Sequence, residues 1–129
     1  RNLPFSNNSF DKVYSMTAIE FISDAPQAVN ELERVTKIGG KIVLTTLNGL
    51  STWAANRLQK ADSGHTLFQS MIFRTPAEMR EMVPADAVLK TAIHFQKTDD
   101  PAQARQIEAE GDADGRETGA FLAVCWMKK

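Results

Sequence analysis

The apolar positions of this chain follow two periods. Between Asp24 and Gly40, Ala28, Val29, Leu32 and Val35 recur at helical spacing and form one apolar face, with Glu31, Glu33, Arg34 and Lys37 on the wet side. The spacing predicts a helix from about Ala25 to Thr36. Asp24 caps it with Gln27 three residues on, Lys37 lies in its last turn, and Gly39 closes it in the left-handed conformation. Gly40 then lets the backbone enter the next element closely. From Lys41 the run Ile-Val-Leu-Thr-Thr-Leu shows no polar alternation, as expected of a strand covered on both faces in a parallel sheet. Upstream, the turn formers Ser6 to Ser9 precede a strand over Phe10–Met16. The stretch between the two strands is long enough for a parallel crossover, whose hand is expected to be right.

The second half of the chain is more broken. Ser51 is placed to cap a helix carrying Trp53, Ala54, Arg57, Leu58 and Lys60, and a polar loop over Ala61 to Thr66 leaves His65 solvated. The apolar segment Leu67 to Phe73 is expected to tuck against the sheet. Thr75-Pro76-Ala77-Glu78 has the pattern of a capping box with proline at the first helical position, and predicts a helix through Val83 that stops before Pro84. Leu89, Thr91, Ile93 and Phe95 alternate with Lys90, Ala92 and His94, which predicts a strand with one drier face and His94 toward solvent or the sheet margin. Asp99 to Gly119 is rich in acidic residues. Asp100-Pro101-Ala102-Gln103 offers a helix start, but Ala102, Ala104, Ile107 and Ala109 give it a thin apolar face, so a mobile surface excursion is expected. Phe121–Met127 reads as a continuous apolar strand inserted between the preceding strand and Lys41 to Leu47.

Composition narrows the picture further. The chain has 129 residues, 43% of them hydrophobic, which suits one domain with a real core. Its net charge of -1 gives no pull toward nucleic acid or an anionic membrane. The single Cys125 is expected to be a buried, unreactive thiol. No run is long and apolar enough to span a membrane, so a cytoplasmic protein is expected. Gly111 to Gly115 lacks the ligand spacing of a calcium loop, and no metal is expected.

Three motifs in order carry a resemblance. Leu3-Pro4-Phe5, then Asn8-Ser9-Phe10-Asp11-Lys12-Val13, then Glu31-Leu32-Glu33-Arg34-Val35-Thr36-Lys37-Ile38-Gly39-Gly40, resemble the second half of a class I S-adenosylmethionine-dependent methyltransferase. Thr36 and Ile38 stand where the family usually has leucine and proline, and the glycine pair is kept. The resemblance covers about Leu3 to Asn48 well and the rest loosely.

It implies an α/β fold: a partial Rossmann-like sheet equivalent to the fourth to seventh strands, with flanking helices and without the first strands and the glycine-rich loop. Residues 1–129 would then be the carboxyl-terminal part of a single domain, holding half of a site for S-adenosylmethionine. By resemblance, Leu3, Pro4 and Phe5 line the adenine side, and Ser15, Met16 and Thr17 edge the pocket after the first strand. Glu20, Asn48 and Trp53 are substrate-side candidates. The implied activity is methyl transfer to a small-molecule acceptor within a complete domain. The alternative is a remnant that lacks cofactor binding and acts through protein contacts. Because a flanking strand is missing from the sequence, the edge of Phe10–Met16 is expected to be open and to pair with a second copy.

Overall fold

A computed structural model describes residues 3–51, 53–55, 71–96 and 98–129. The expectations for Arg57, Leu58, Lys60, His65 and residues 67–70 lie outside the described residues. The elements run β1 (Phe10–Met16), a 3-10 turn (Ile19–Phe21), α1 (Ala25–Val35), β2 (Thr36–Leu47), α2 (Pro76–Met82), β3 (Val88–Ala92), α3 (Pro101–Ala113) and β4 (Phe121–Met127). The strands make one mixed sheet in the order β1-β2-β4-β3. β1 and β2 are parallel, and β4 is antiparallel to both β2 and β3. The insertion of β4 beside β2 follows the sequence expectation, as do its limits.

The helix between the parallel strands begins as expected, with the Asp24 carboxylate accepting from the Gln27 amide at 3.3 Å. Its end differs. α1 stops at Val35, and Thr36, already extended, donates its hydroxyl to the Leu32 carbonyl at 2.6 Å. Arg34, not Lys37, is the basic residue of the last turn. Pairing of Thr36 with Phe10 ends the helix early. The register then jumps so that Lys12 faces Lys41. Gly39 does adopt a positive φ of 83°, but within this irregular stretch rather than at a helix end. Gly40 has no room for a side chain, since a Cβ would lie 2.7 Å from the Asp11 carbonyl oxygen.

The core is built from Ile42 and Leu44 of β2 and Leu122, Val124 and Trp126 of β4, packed with Ile19, Ala25, Val29 and Met79. Burying such side chains stabilises the fold by about 1.5–3 kcal/mol each. Trp126 also donates its indole N–H to Glu33 at 2.9 Å, joining α1 to the far strand. Cys125 is half-buried. No helix among the described residues is long and apolar enough to cross a membrane.

Three further expectations are corrected. Glu31 is not on a wet face: it is buried under the segment that begins at Leu3, whose amide it binds at 2.7 Å. The acidic stretch is not a loop but contains α3, a thirteen-residue helix capped by Asp100, which accepts from the amides of Ala102 and Gln103. What holds it is largely polar, since Glu108 accepts from the backbone of Ile93 and His94 and Asp112 pairs with Lys90 at 2.6 Å. β3 ends at Ala92, and Ile93 takes a φ of 62°, which turns the chain out of the sheet. His94 consequently lies against Gly111 of α3, with both ring nitrogens buried and without a partner among the described residues, rather than at the sheet margin. The capping box at Thr75 and Glu78 forms as the sequence predicts.

Candidate functional site

Parallel strands leave their ligand crevice beyond their carboxyl ends. There Thr17 leaves β1 with a φ of 47°, its amide bonded to the carbonyl and hydroxyl oxygens of Thr45. This tight exit throws the chain into the 3-10 turn, which buries Ile19 and Glu20. Beside it, a cavity of about 160 Å³ is lined by Leu3, Ser15, Ile19, Ile22, Leu32 and Leu44, with Ala28 and Glu31 completing the wall. The lining is almost wholly apolar. Such a cavity suits the faces of a flat, weakly polar group and excludes water from its edges.

The lid over one side is the segment starting at Leu3. Its backbone is tied to α1: Arg34 donates to the carbonyls of Leu3 at 3.0 Å and Phe5 at 2.8 Å, and to the Asn7 side chain at 2.9 Å. Arg34 is itself held by Glu31, Nε to Oε2, at 2.7 Å. The Arg34 guanidinium, and after it the Leu3 amide, hold the Glu31 carboxyl at about 2, well below the ordinary carboxylate range. Pro4 and Phe5 are exposed and face a second, shallower depression beside Arg34. The Phe5 ring stands edge-on to Phe10, 5.0 Å away.

The candidate residues therefore fall into separate places. Leu3 and Ser15 meet in the cavity, Pro4 and Phe5 lie on the outer side of its lid, and Met16 and Thr17 are exposed at the strand end. Glu20 is 1% exposed, and its Oε1 has no partner among the described residues. Asn48 is fully buried. Its amide nitrogen donates to the carbonyls of Glu117 and Gly119, and its oxygen accepts from Leu50. Trp53 is half-buried and donates its indole N–H to the Phe95 carbonyl at 3.0 Å.

Sequence reasoning missed Ile19, Ile22, Ala28, Leu32 and Leu44 as wall residues, and it missed Arg34. Ala28 and Leu32 do belong to the apolar helical stripe, but a stripe alone does not tell a filled core from a cavity wall. Arg74, also missed, spans the turn by donating to the carbonyls of Ile19 at 2.8 Å and Ile22 at 2.6 Å.

Comparison with known proteins agrees with this geometry. Residues 1–44 match the family model described as "Methyltransferase domain". Malonyl-[acyl-carrier protein] O-methyltransferase of Erwinia billingiae (strain Eb661) is 34% identical over 97 residues, which are 74% of this chain and 34% of that protein. The chain thus spans about a third of that curated relative. Among solved structures, a SAM-dependent methyltransferase from Thermotoga maritima, described as a possible histamine N-methyltransferase, is 18% identical with a TM-score of 0.74, over 99% of this chain and 60% of that one. Geranyl diphosphate C-methyltransferase from Streptomyces coelicolor A3(2) is 13% identical with a TM-score of 0.58, over 99% of this chain and 51% of that one. At those identities the two structures show the fold alone. Sequence motifs, family match and sheet order agree: residues 1–44 match the methyltransferase-domain family, the chain resembles the class I S-adenosylmethionine-dependent methyltransferases, and its four-stranded mixed sheet matches part of their Rossmann-like domain.

Proposed function

We propose that this chain is the carboxyl-terminal part of a catalytic domain, with strands equivalent to the fourth to seventh, that transfers a methyl group from S-adenosylmethionine to a small-molecule acceptor. The observation that carries the reading is the apolar cavity between Leu3, Ser15, Ile19 and Leu32 beside the carboxyl end of β1. Its lining fits the purine end of the cofactor, with Leu3 on the adenine side and Ser15 at the pocket edge, while Pro4 and Phe5 back the Leu3 wall from outside and Met16 and Thr17 flank the strand end.

Methyl transfer from a sulfonium is an in-line displacement, so the protein's task is to orient the reactants and exclude water. The cofactor supplies the electrophilic methyl group when bound. Leu3 and Ile19 keep water from the nucleoside end, while the tight exit at Thr17 fixes where the strand end meets the ligand. Glu20, Asn48 and Trp53 remain the substrate-side candidates. For Asn48 and Trp53 such a role would act through the turns their side chains hold.

Calorimetric titration with S-adenosylhomocysteine tests the reading, on this chain and on the full gene product. Binding by the full product supports it, and binding by neither sinks it. Malonyl-[acyl-carrier protein], named for the Erwinia billingiae relative, is the first acceptor to assay beside small-molecule ones.

A second reading, a scaffold role through protein contacts, is favoured by one observation. β1 is an edge strand of the described sheet, with Phe10, Tyr14 and Met16 exposed. In the register centred between Asp11 and Lys12, two copies related by a two-fold axis would set each Asp11 opposite the partner copy's Lys12 in an antiparallel pair, a complementary arrangement of charge.

A further inference from the structure

We propose that Glu31 and Arg34 are a positioning pair for the cavity: by holding the backbone of Leu3-Pro4-Phe5 against α1, they set affinity for the adenosine end of the ligand through the position of that wall. The inference rests on the methyltransferase reading and concerns its same site. Among the described residues, the other ties near this lid include the edge contact of Phe5 with Phe10 and the Asn8 and Ser9 amides bonded to the carbonyls of Arg34 and Val35. Pro4, Phe5 and Ser6 are exposed, with Phe5 at 49% exposure, so apolar burial contributes little to fixing them. An exposed segment with few buried contacts opens easily unless polar ties hold it.

The ties converge on one guanidinium. Arg34 reaches the carbonyls of Leu3 and Phe5, while Glu31 accepts the Leu3 amide from the other side at 2.7 Å. Glu31 also fixes the fork of Arg34 with contacts of 2.7 and 3.0 Å. Donation in several directions from a rigid plane is what arginine provides and lysine does not. Because Leu3 and Glu31 both line the cavity, movement of the tie is movement of the wall. A lid already fixed before the ligand arrives spares the ligand the entropy of ordering it.

The test uses the full gene product with S-adenosylhomocysteine and adenosine as calorimetric probes, and compares Arg34→Lys and Glu31→Gln with Arg80→Ala. Arg80 forms a more exposed ion pair with Glu117, away from the cavity. Expected is a rise of about tenfold or more in Kd for both probes in the Arg34 and Glu31 variants, the scale of effect that small misplacements have on bound groups. KM for the cofactor should rise with it while kcat changes less. Arg80→Ala should leave binding unchanged, and the melting temperature of Arg34→Lys should be no lower than that of Arg80→Ala. Wild-type affinity in both Arg34→Lys and Glu31→Gln overturns the positioning role while leaving the methyltransferase reading intact. Failure of the unaltered protein to bind either probe overturns that reading and the positioning role together.

Discussion

The imidazole of His94 lies so close to Gly111 that a Cβ added at Gly111 would come within 2.3 Å of the ring's Cγ and 2.9 Å of its Cβ. The contact seats α3 on the end of β3. It also opposes a simple helix rule. Replacing a mid-helix glycine with alanine normally gains about 1 kcal/mol. Here the methyl would meet the root of a side chain rather than a flexible tip, and overpacking costs about 1–3 kcal/mol. Gly111→Ala should therefore lower stability in chemical denaturation, and an unchanged or raised midpoint would refute the packing argument.

Asn48 satisfies three backbone groups with one side chain at full burial. Asn48→Ala leaves the carbonyls of Glu117 and Gly119 and the Leu50 amide without that partner. Each unsatisfied buried group costs about 1–3 kcal/mol, so the variant should lose at least 2 kcal/mol, roughly, by equilibrium unfolding. Asn48→Asp should be worse, because a carboxylate would face two carbonyl oxygens. A milder loss for aspartate than for alanine would contradict the amide's orientation.

The tie between Glu31 and Leu3 has a defined pH range. Glu31 titrates at about 2 in the folded chain, against an ordinary value of 4.5, first because of its bond from Arg34 and then because of the Leu3 amide. A folded value below the unfolded one means that the contribution is complete above about pH 4.5 and disappears as pH falls toward 2. The Leu3 amide resonance should accordingly hold its position through the ordinary carboxylate range and shift only near the lower value. Movement centred near 4.5 would show that the tie does not form.

Pairing of two copies along β1 predicts concentration-dependent association in light scattering. Charges on an edge strand discourage such pairing. Tyr14→Lys combined with Met16→Lys, both at exposed positions, should shift the chain toward monomer. A unaltered chain that stays monomeric across the concentration range would remove this proposal.

Much of the sheet was legible because its signals are local. Phe121–Met127 is an unbroken apolar run between polar flanks, and Thr75 to Glu78 carry a complete capping box, so both elements appear where expected. α3 was hidden because its apolar face is thin. Its attachment comes from Glu108, Asp112 and Gly111 meeting residues far back in the sequence, and no local period records that. Glu31 was misplaced for a related reason: a helical wheel puts it outside, and burial comes only when the chain from Leu3 folds over it. The site was half visible. Leu3 and Ser15 come from motifs, whereas Ile19, Ile22 and Leu44 look like ordinary core until the space between them is seen.

The place of β4 has a consequence for how the fold is reached. Among the described residues β3 pairs only with β4, and β4 joins β2 with Lys41 opposite Met127. The strand latest in the sequence is thus the keystone between two earlier ones, and until it arrives β3 has no ladder to join. Closing so long a loop comes before its contacts reward it, which favours slow assembly. During that interval β2 offers a vacant, apolar flank to any strand that reaches it first, so the main competitor to correct folding is a strand from a neighbouring molecule.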